Sequence, residues 1–112
     1  MSTLRRRARE VAFQFLFHDD VAKESNIEDF FEHFDVTAQA RSFAKELATG
    51  TLVHLPEIDQ AIEKKTTNWR FSRLAHVDKT LIRLAVYEIL FRDDIPPLVA
   101  INEAIELSKR FG

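Results

Sequence analysis

Leu4–Phe17 reads LRRRAREVAFQFLF, with two patterns superimposed on one segment. Leu4, Ala8, Val11, Ala12, Phe15 and Leu16 recur at helical spacing and form one apolar stripe. Arg5, Arg6, Arg7 and Arg9 crowd the first turns of the same helix. A helix N-terminus already carries partial positive charge, so each added cation there costs about 0.3–1 kcal/mol. Arg5 and Arg9 also repel each other at i,i+4. Stability alone would place acids here, so the arginines point to an anionic partner. The plainer alternative is a solvated helix face with no ligand.

Working outward, the rest of the chain also reads as helical. It holds 112 residues, 46% of them hydrophobic and ten of them Phe, which is enough for one domain with an aromatic-rich core. Only two glycines and three prolines are present. That poverty removes glycine-rich phosphate loops and argues against a turn-rich β protein. The 30% of charged residues argues for a water-soluble chain. No apolar run approaches the ~18–20 residues that cross a bilayer, and no apolar leader core follows the arginines. The absence of cysteine excludes disulfides and thiolate metal sites and fits a cytoplasmic setting. The formal charge of −2 conceals an asymmetry. Residues 1–9 hold four arginines and no acid, whereas the rest holds 12 basic and 18 acidic side chains. A basic end on an acidic body suggests a localised anionic partner.

The periodicity predicts a first helix over about Thr3–Asp20, with Phe13 and Phe17 an i,i+4 aromatic pair beside the core stripe and Arg6 spaced to pair with Glu10. Ser25-Asn26-Ile27-Glu28 has the form of a capping box, opening a helix with Ile27, Phe30, Phe31 and Phe34 on one side. A third helix starts at Asp35 or Thr37 and runs to about Leu55, lined inside by Ala40, Phe43, Ala44, Leu47, Ala48, Thr51 and Leu55. Gly50 within it hints at a close helix contact, because glycine there costs about 1 kcal/mol against alanine. Pro56 suits the first position of a fourth helix, which Lys64-Lys65 end. Asn68 caps a short turn in which Trp69 is expected to anchor the core. His76–Phe91 carries two apolar stripes: Val77, Leu81, Leu84 and Phe91, then Ile82, Ala85, Val86 and Ile89. A helix apolar on most sides is expected to be surrounded by others. After Pro96-Pro97, a last helix places Leu98, Ile101, Ala104, Ile105 and Ser108 inward and ends at Gly112.

Catalytic signals are thin. His18, His33, His54 and His76 are isolated, without ligand spacing to one another or to a carboxylate. Asp19-Asp20 and Asp93-Asp94 fit turns, and no Ser, Thr or Lys stands in a nucleophile context. The chain reads as a binding protein without cofactor or metal. Guanidinium groups bind phosphates bidentately and stack on unpaired bases. A single strand neutralised by four arginines would give a log–log salt slope of about −3. Duplex DNA is the poorer fit, since no polar, basic recognition helix is present and the later helices are acidic.

These residues also carry a resemblance. Arg5-Arg6-Arg7-Ala8-Arg9-Glu10, followed by Ala12, Gln14 and Leu16, resembles the start of the NusB family of bacterial transcription antitermination factors. The block Asp78–Gly112 resembles it more specifically: Leu84-Ala85-Val86-Tyr87-Glu88, Ile95-Pro96, Ala100 through Leu107, and Lys109-x-Phe111-Gly112. Residues 18–70 match in helical pattern and spacing only. The resemblance implies an all-α bundle of six to seven helices in two small subdomains, 1–55 and 56–112, within a single RNA-binding domain 1–112. It implies a non-enzymatic factor that binds the boxA segment of ribosomal-operator leader RNA as single strand, together with NusE, a small-subunit ribosomal protein, inside an RNA polymerase antitermination complex. RNA contacts carry over to Arg5, Arg6, Arg7, Arg9, Gln14 and Phe17, the last standing where the family often has Tyr. The side facing NusE carries over to Asp78 and Phe111. Family chains continue past Lys-x-Phe-Gly into one more helix that this sequence does not include, so exposed apolar surface on the Asp78 and Pro97 helices, lower stability or self-association is expected. Two other readings are the helical appendage of an rRNA cytosine methyltransferase, which shares this fold, and a helical protein-interaction module without RNA binding.

Overall fold

The computed structural model describes residues 2–22, 26–66 and 70–112. Six α-helices and one 3-10 turn make up the regular structure among them: α1 Ser2–Ala22, α2 Ile27–Phe31, α3 Ala38–Val53, α4 Leu55–Lys65, the turn Phe71–Arg73, α5 His76–Phe91 and α6 Pro97–Phe111. They group into two compact units, Met1–Thr49 and Gly50–Gly112.

In the N-terminal unit the stripe of α1 is buried as its spacing predicts: Ala8, Val11, Ala12, Phe15 and Leu16 are all 5% exposed or less. Only Leu4, at the start of the stripe, is half-exposed. Phe13 is buried too, while Phe17 is half-buried and stacks on it at 6.0 Å between ring centroids. The Phe15 ring meets Phe30 and Phe31 edge-on at 5.4 and 6.0 Å, which joins α2 to α1. The helix at α2 is only five residues long, and its cap is Asn26, whose side chain accepts from the backbone N–H groups of Glu28 and Asp29. Ser25 lies outside the described residues, as do Asn68 and Trp69. Thr37 caps α3, its hydroxyl accepting from the Ala40 N–H at 3.1 Å. Lys45 on α3 forms an ion pair with Glu28 on α2.

In the C-terminal unit Ile58, Ile62, Phe71, Leu81, Leu84, Tyr87, Ile95, Ala100 and Leu107 form the core. Arg83 on α5 grips Asp59 on α4 through two parallel bonds of 2.8 and 2.9 Å, with its guanidinium 5.2 Å from the Phe71 ring centroid. Both partners are half-buried, and bidentate geometry holds the crossing. Replacing Asp59 by Ala is expected to cost about 1–2 kcal/mol, the range for a charge-assisted bond partly screened by solvent. Urea unfolding followed by circular dichroism measures it. His54, between α3 and α4, stacks on Phe91 with centroids 3.9 Å apart. Arg92 closes the α5–α6 turn with a bidentate pair to Asp94, and Pro96-Pro97 then start α6 as expected.

Gly50 sits in α3 where a Cβ would lie 2.1 Å from the Tyr87 Oη and 2.2 Å from its Cζ. The close contact hinted at by a glycine inside a helix is therefore with the ring of α5.

Two expectations need correction. On α6 the buried residues are Ala100, Glu103 and Leu107, whereas Leu98, Ile101 and Ile105 are 67%, 45% and 48% exposed, Ser108 is exposed and Ala104 is half-exposed. On α5 the second stripe, Ile82, Ala85, Val86 and Ile89, is only half covered. Each helix carries two apolar stripes, and the α5–α6 contact buries one of each. Ile82, Ala85 and Val86 of α5 and Ile101, Ala104 and Ile105 of α6 border an open apolar groove of about 440 Å³, with Asp78 and Ser108 also on its wall. Exposed apolar surface on the helices that contain Asp78 and Pro97 is thus present.

Candidate nucleic-acid interface

The arginine segment forms the first three turns of α1, and the helix frame divides its four side chains among different surroundings. Arg6 is exposed. Arg5 is half-buried, its guanidinium carbon 4.4 Å above the centroid of Phe43 on α3. Arg9 is only 2% exposed and lies 5.8 Å from the same ring. Arg7 lies 5.9 Å from the Phe34 ring, and its Nη1 donates to Glu10 Oε1 at 3.3 Å. Two guanidinium groups over one aromatic ring are each attracted by its quadrupole. That attraction offsets part of the mutual repulsion that i,i+4 spacing imposes.

Gln14 and Phe17 follow on the partly open side of α1. The Gln14 amide donates to the Glu10 carbonyl at 3.2 Å, so part of its donor capacity is spent within the helix. The Phe17 ring is stacked on Phe13 and half-open, a surface against which a base could stack. Arg6, Arg7, Gln14 and Phe17 thus share the accessible side of α1, while half-buried Arg5 and buried Arg9 lie on the side that packs against Phe43. Sequence reasoning treated the four arginines as equivalent. Helical spacing already sets Arg5 and Arg9 in line with Ala12 and Leu16 of the stripe and Arg6 away from it; the tertiary structure adds the rings of Phe34 and Phe43 that they meet.

Asp78 and Phe111 belong to the C-terminal unit. Asp78 is exposed in the first turn of α5 and borders the apolar groove. Phe111 ends α6 half-buried, with the Arg110 guanidinium 5.5 Å from its ring. Ser108, one turn earlier on α6, lines the same groove as Asp78. Glu88 and Glu103, which stand within the marker runs of the C-terminal block, are carboxylates buried to 2% and 7% exposure. Buried charge of this kind is retained only with polar partners.

Among the described residues no group of three or more His, Cys, Asp or Glu side chains could hold a metal ion. No helix among them is long and apolar enough to cross a membrane.

The match to known proteins spans both units. The model of the NusB family matches residues 6–112. The chain belongs to the NusB family. A transcription antitermination protein NusB from Desulfitobacterium hafniense (strain DSM 10664 / DCB-2) is 49% identical, over 96% of this chain and 76% of its own length. The NusB of T. maritima superposes with a TM-score of 0.84 at 37% identity, over 96% of this chain and 78% of that one. A crystal structure of the antitermination factors NusB and NusE in complex with double-stranded RNA matches with a TM-score of 0.84 at 29% identity. It covers all of this chain and 86% of the matched chain. NusB membership favours neither the methyltransferase appendage nor the RNA-free interaction module.

Proposed function

We propose that this chain is a non-enzymatic transcription antitermination factor. It binds boxA-type leader RNA as a single strand, together with NusE, within the RNA polymerase antitermination complex of ribosomal operons. It acts in the cytoplasm, where that transcription occurs. The observation that carries the RNA part is exposed Arg6 in the first turns of α1, flanked on one side by Arg5 against Phe43 and on the other by Arg7 against Phe34. Gln14 and half-open Phe17 continue the same surface towards the end of the helix. Guanidinium donors meet phosphates, and an aromatic ring meets an unstacked base. Arg9 contributes to the local field and to the packing beneath this surface rather than by direct contact. NusE is assigned to the other unit, to Asp78 on the wall of the groove and to Phe111 at the end of α6.

The test is binding of a fluorescein-labelled single-stranded boxA-type RNA, followed by anisotropy across a salt series, with and without NusE. With three accessible arginines the log–log salt slope is expected near about −2, each phosphate contact contributing about −0.7. In the variant Arg6→Ala/Arg7→Ala the slope should flatten by about 1.4, and affinity at low salt should fall at least about tenfold. An unchanged slope would remove RNA binding from this helix. Competition by the same sequence annealed to its complement separates a single-strand reader from a duplex reader.

A further inference from the structure

The two arginines nearest Phe43 differ in accessibility, yet share one ring. Arg5 is half-buried with its guanidinium 4.4 Å from the Phe43 centroid, and buried Arg9 approaches the same ring to 5.8 Å. Phe43 itself is 8% exposed, is on α3, and belongs to none of the residues assigned to RNA contact. We propose that Phe43 is a positioning residue for RNA binding: its ring holds the Arg5 guanidinium in a binding-ready orientation before RNA arrives, with Arg9 supporting the ring contact from the buried side. This rests on the reading that α1 binds RNA, and deepens it by adding a residue that touches no RNA.

The physical reason is pre-organisation. A free arginine side chain has many rotamers and loses them when its planar fork engages a phosphate. A guanidinium already stacked on an aromatic face has lost much of that freedom before binding. The contact shown is the guanidinium carbon 4.4 Å over the ring centroid, and a phosphate is recognised by the N–H donors of the same group. The ring also lowers the cost of holding two cations one helical turn apart, a cost a bound phosphate would lower further. An aliphatic residue at position 43 fills the core but offers no quadrupole.

Three variants of the full chain, Phe43→Leu, Phe43→Tyr and Arg5→Ala, and the double variant Phe43→Leu/Arg5→Ala are titrated with the labelled single-stranded RNA. Thermal melts identify a temperature at which all of them are folded. Phe43→Leu is expected to weaken binding by about three- to tenfold, the fold-change expected for loss of one cation–π contact. Phe43→Tyr keeps the π face and should bind within about twofold of the parent. In the Arg5→Ala background Phe43→Leu should add no further loss, the non-additivity of residues that act through each other. If Phe43→Leu is not folded at a usable temperature, Phe43→Met supplies similar volume without a ring. Additive losses, or an unchanged affinity in the ring-less variant, would overturn the positioning role while leaving RNA binding by α1 in place. Absence of RNA binding by the parent chain would overturn both.

Discussion

Gly50→Ala is expected to destabilise the protein, although alanine is ordinarily the better residue inside a helix by about 1 kcal/mol. The added methyl would lie 2.1–2.2 Å from the Tyr87 hydroxyl and ring. The hydroxyl oxygen, Cζ and Cε1 all crowd the position, and the ring is buried, with 7% exposure, so it has little room to swing aside. Forcing a methyl into well-packed surroundings costs about 1–3 kcal/mol, and more where the neighbour is rigid. The net loss should be about 2 kcal/mol, a fall in melting temperature of about 8–12 °C for a chain of this size. Circular dichroism melts measure it. The control is Thr49→Ala, one residue earlier on the exposed side of α3, which should change the melting temperature little. Adding Tyr87→Ala to Gly50→Ala should destabilise less than the sum of the two single changes, because the clash and the ring share one space. Losses that simply add would show that the ring contact is not the cause.

Arg6 and Arg9 are three residues apart and should respond oppositely. Arg9→Ala is expected to lower stability by about 2–4 kcal/mol, because it removes a buried stem and a cation–π contact together. That corresponds to a fall of about 8–15 °C in melting temperature. Its salt slope for RNA binding, measured where the protein is still folded, should stay close to the parent value, since a side chain 2% exposed reaches no phosphate. Arg6→Ala should leave the melting temperature within about 2 °C, as exposed surface substitutions do, and should flatten the salt slope by about 0.7. Paired melts and anisotropy titrations on the two variants test both arms. A flattened slope in Arg9→Ala together with an unchanged melt would return Arg9 to the binding surface.

Much of the architecture was legible in local chemistry. Thr37, Pro56 and Pro97 stand where helix starts require them, and Leu4–Phe17 buried most of the stripe its spacing described. The identity of the fold was legible from the two ends of the chain together: the arginine run is weak alone, and the Asp78–Gly112 block is the specific one. The α6 face was misassigned for a definite reason. Leu98, Ile101 and Ile105 are as apolar as Ala100 and Leu107, so hydrophobicity alone did not say which set faces α5. Buried Glu103 shifts the true inner face towards a residue that composition would place outside.

The sequence by itself determined that this protein is all-helical, where most of its helices begin, that it belongs to the NusB family, and that four arginines without an acid crowd the start of the first helix. The helices and the arginine cluster depend on residues within a few positions of one another, which helical geometry reads directly, and the family on two short marker runs that stand in order at the ends of the chain. Only the tertiary structure decided that Arg9 is buried, that Arg5 lies on Phe43, that Gly50 makes room for Tyr87, and which stripes of α5 and α6 remain open. Each of these depends on residues far apart in the chain or on the choice between two equally apolar faces, and periodicity along a single helix carries no information about its neighbour.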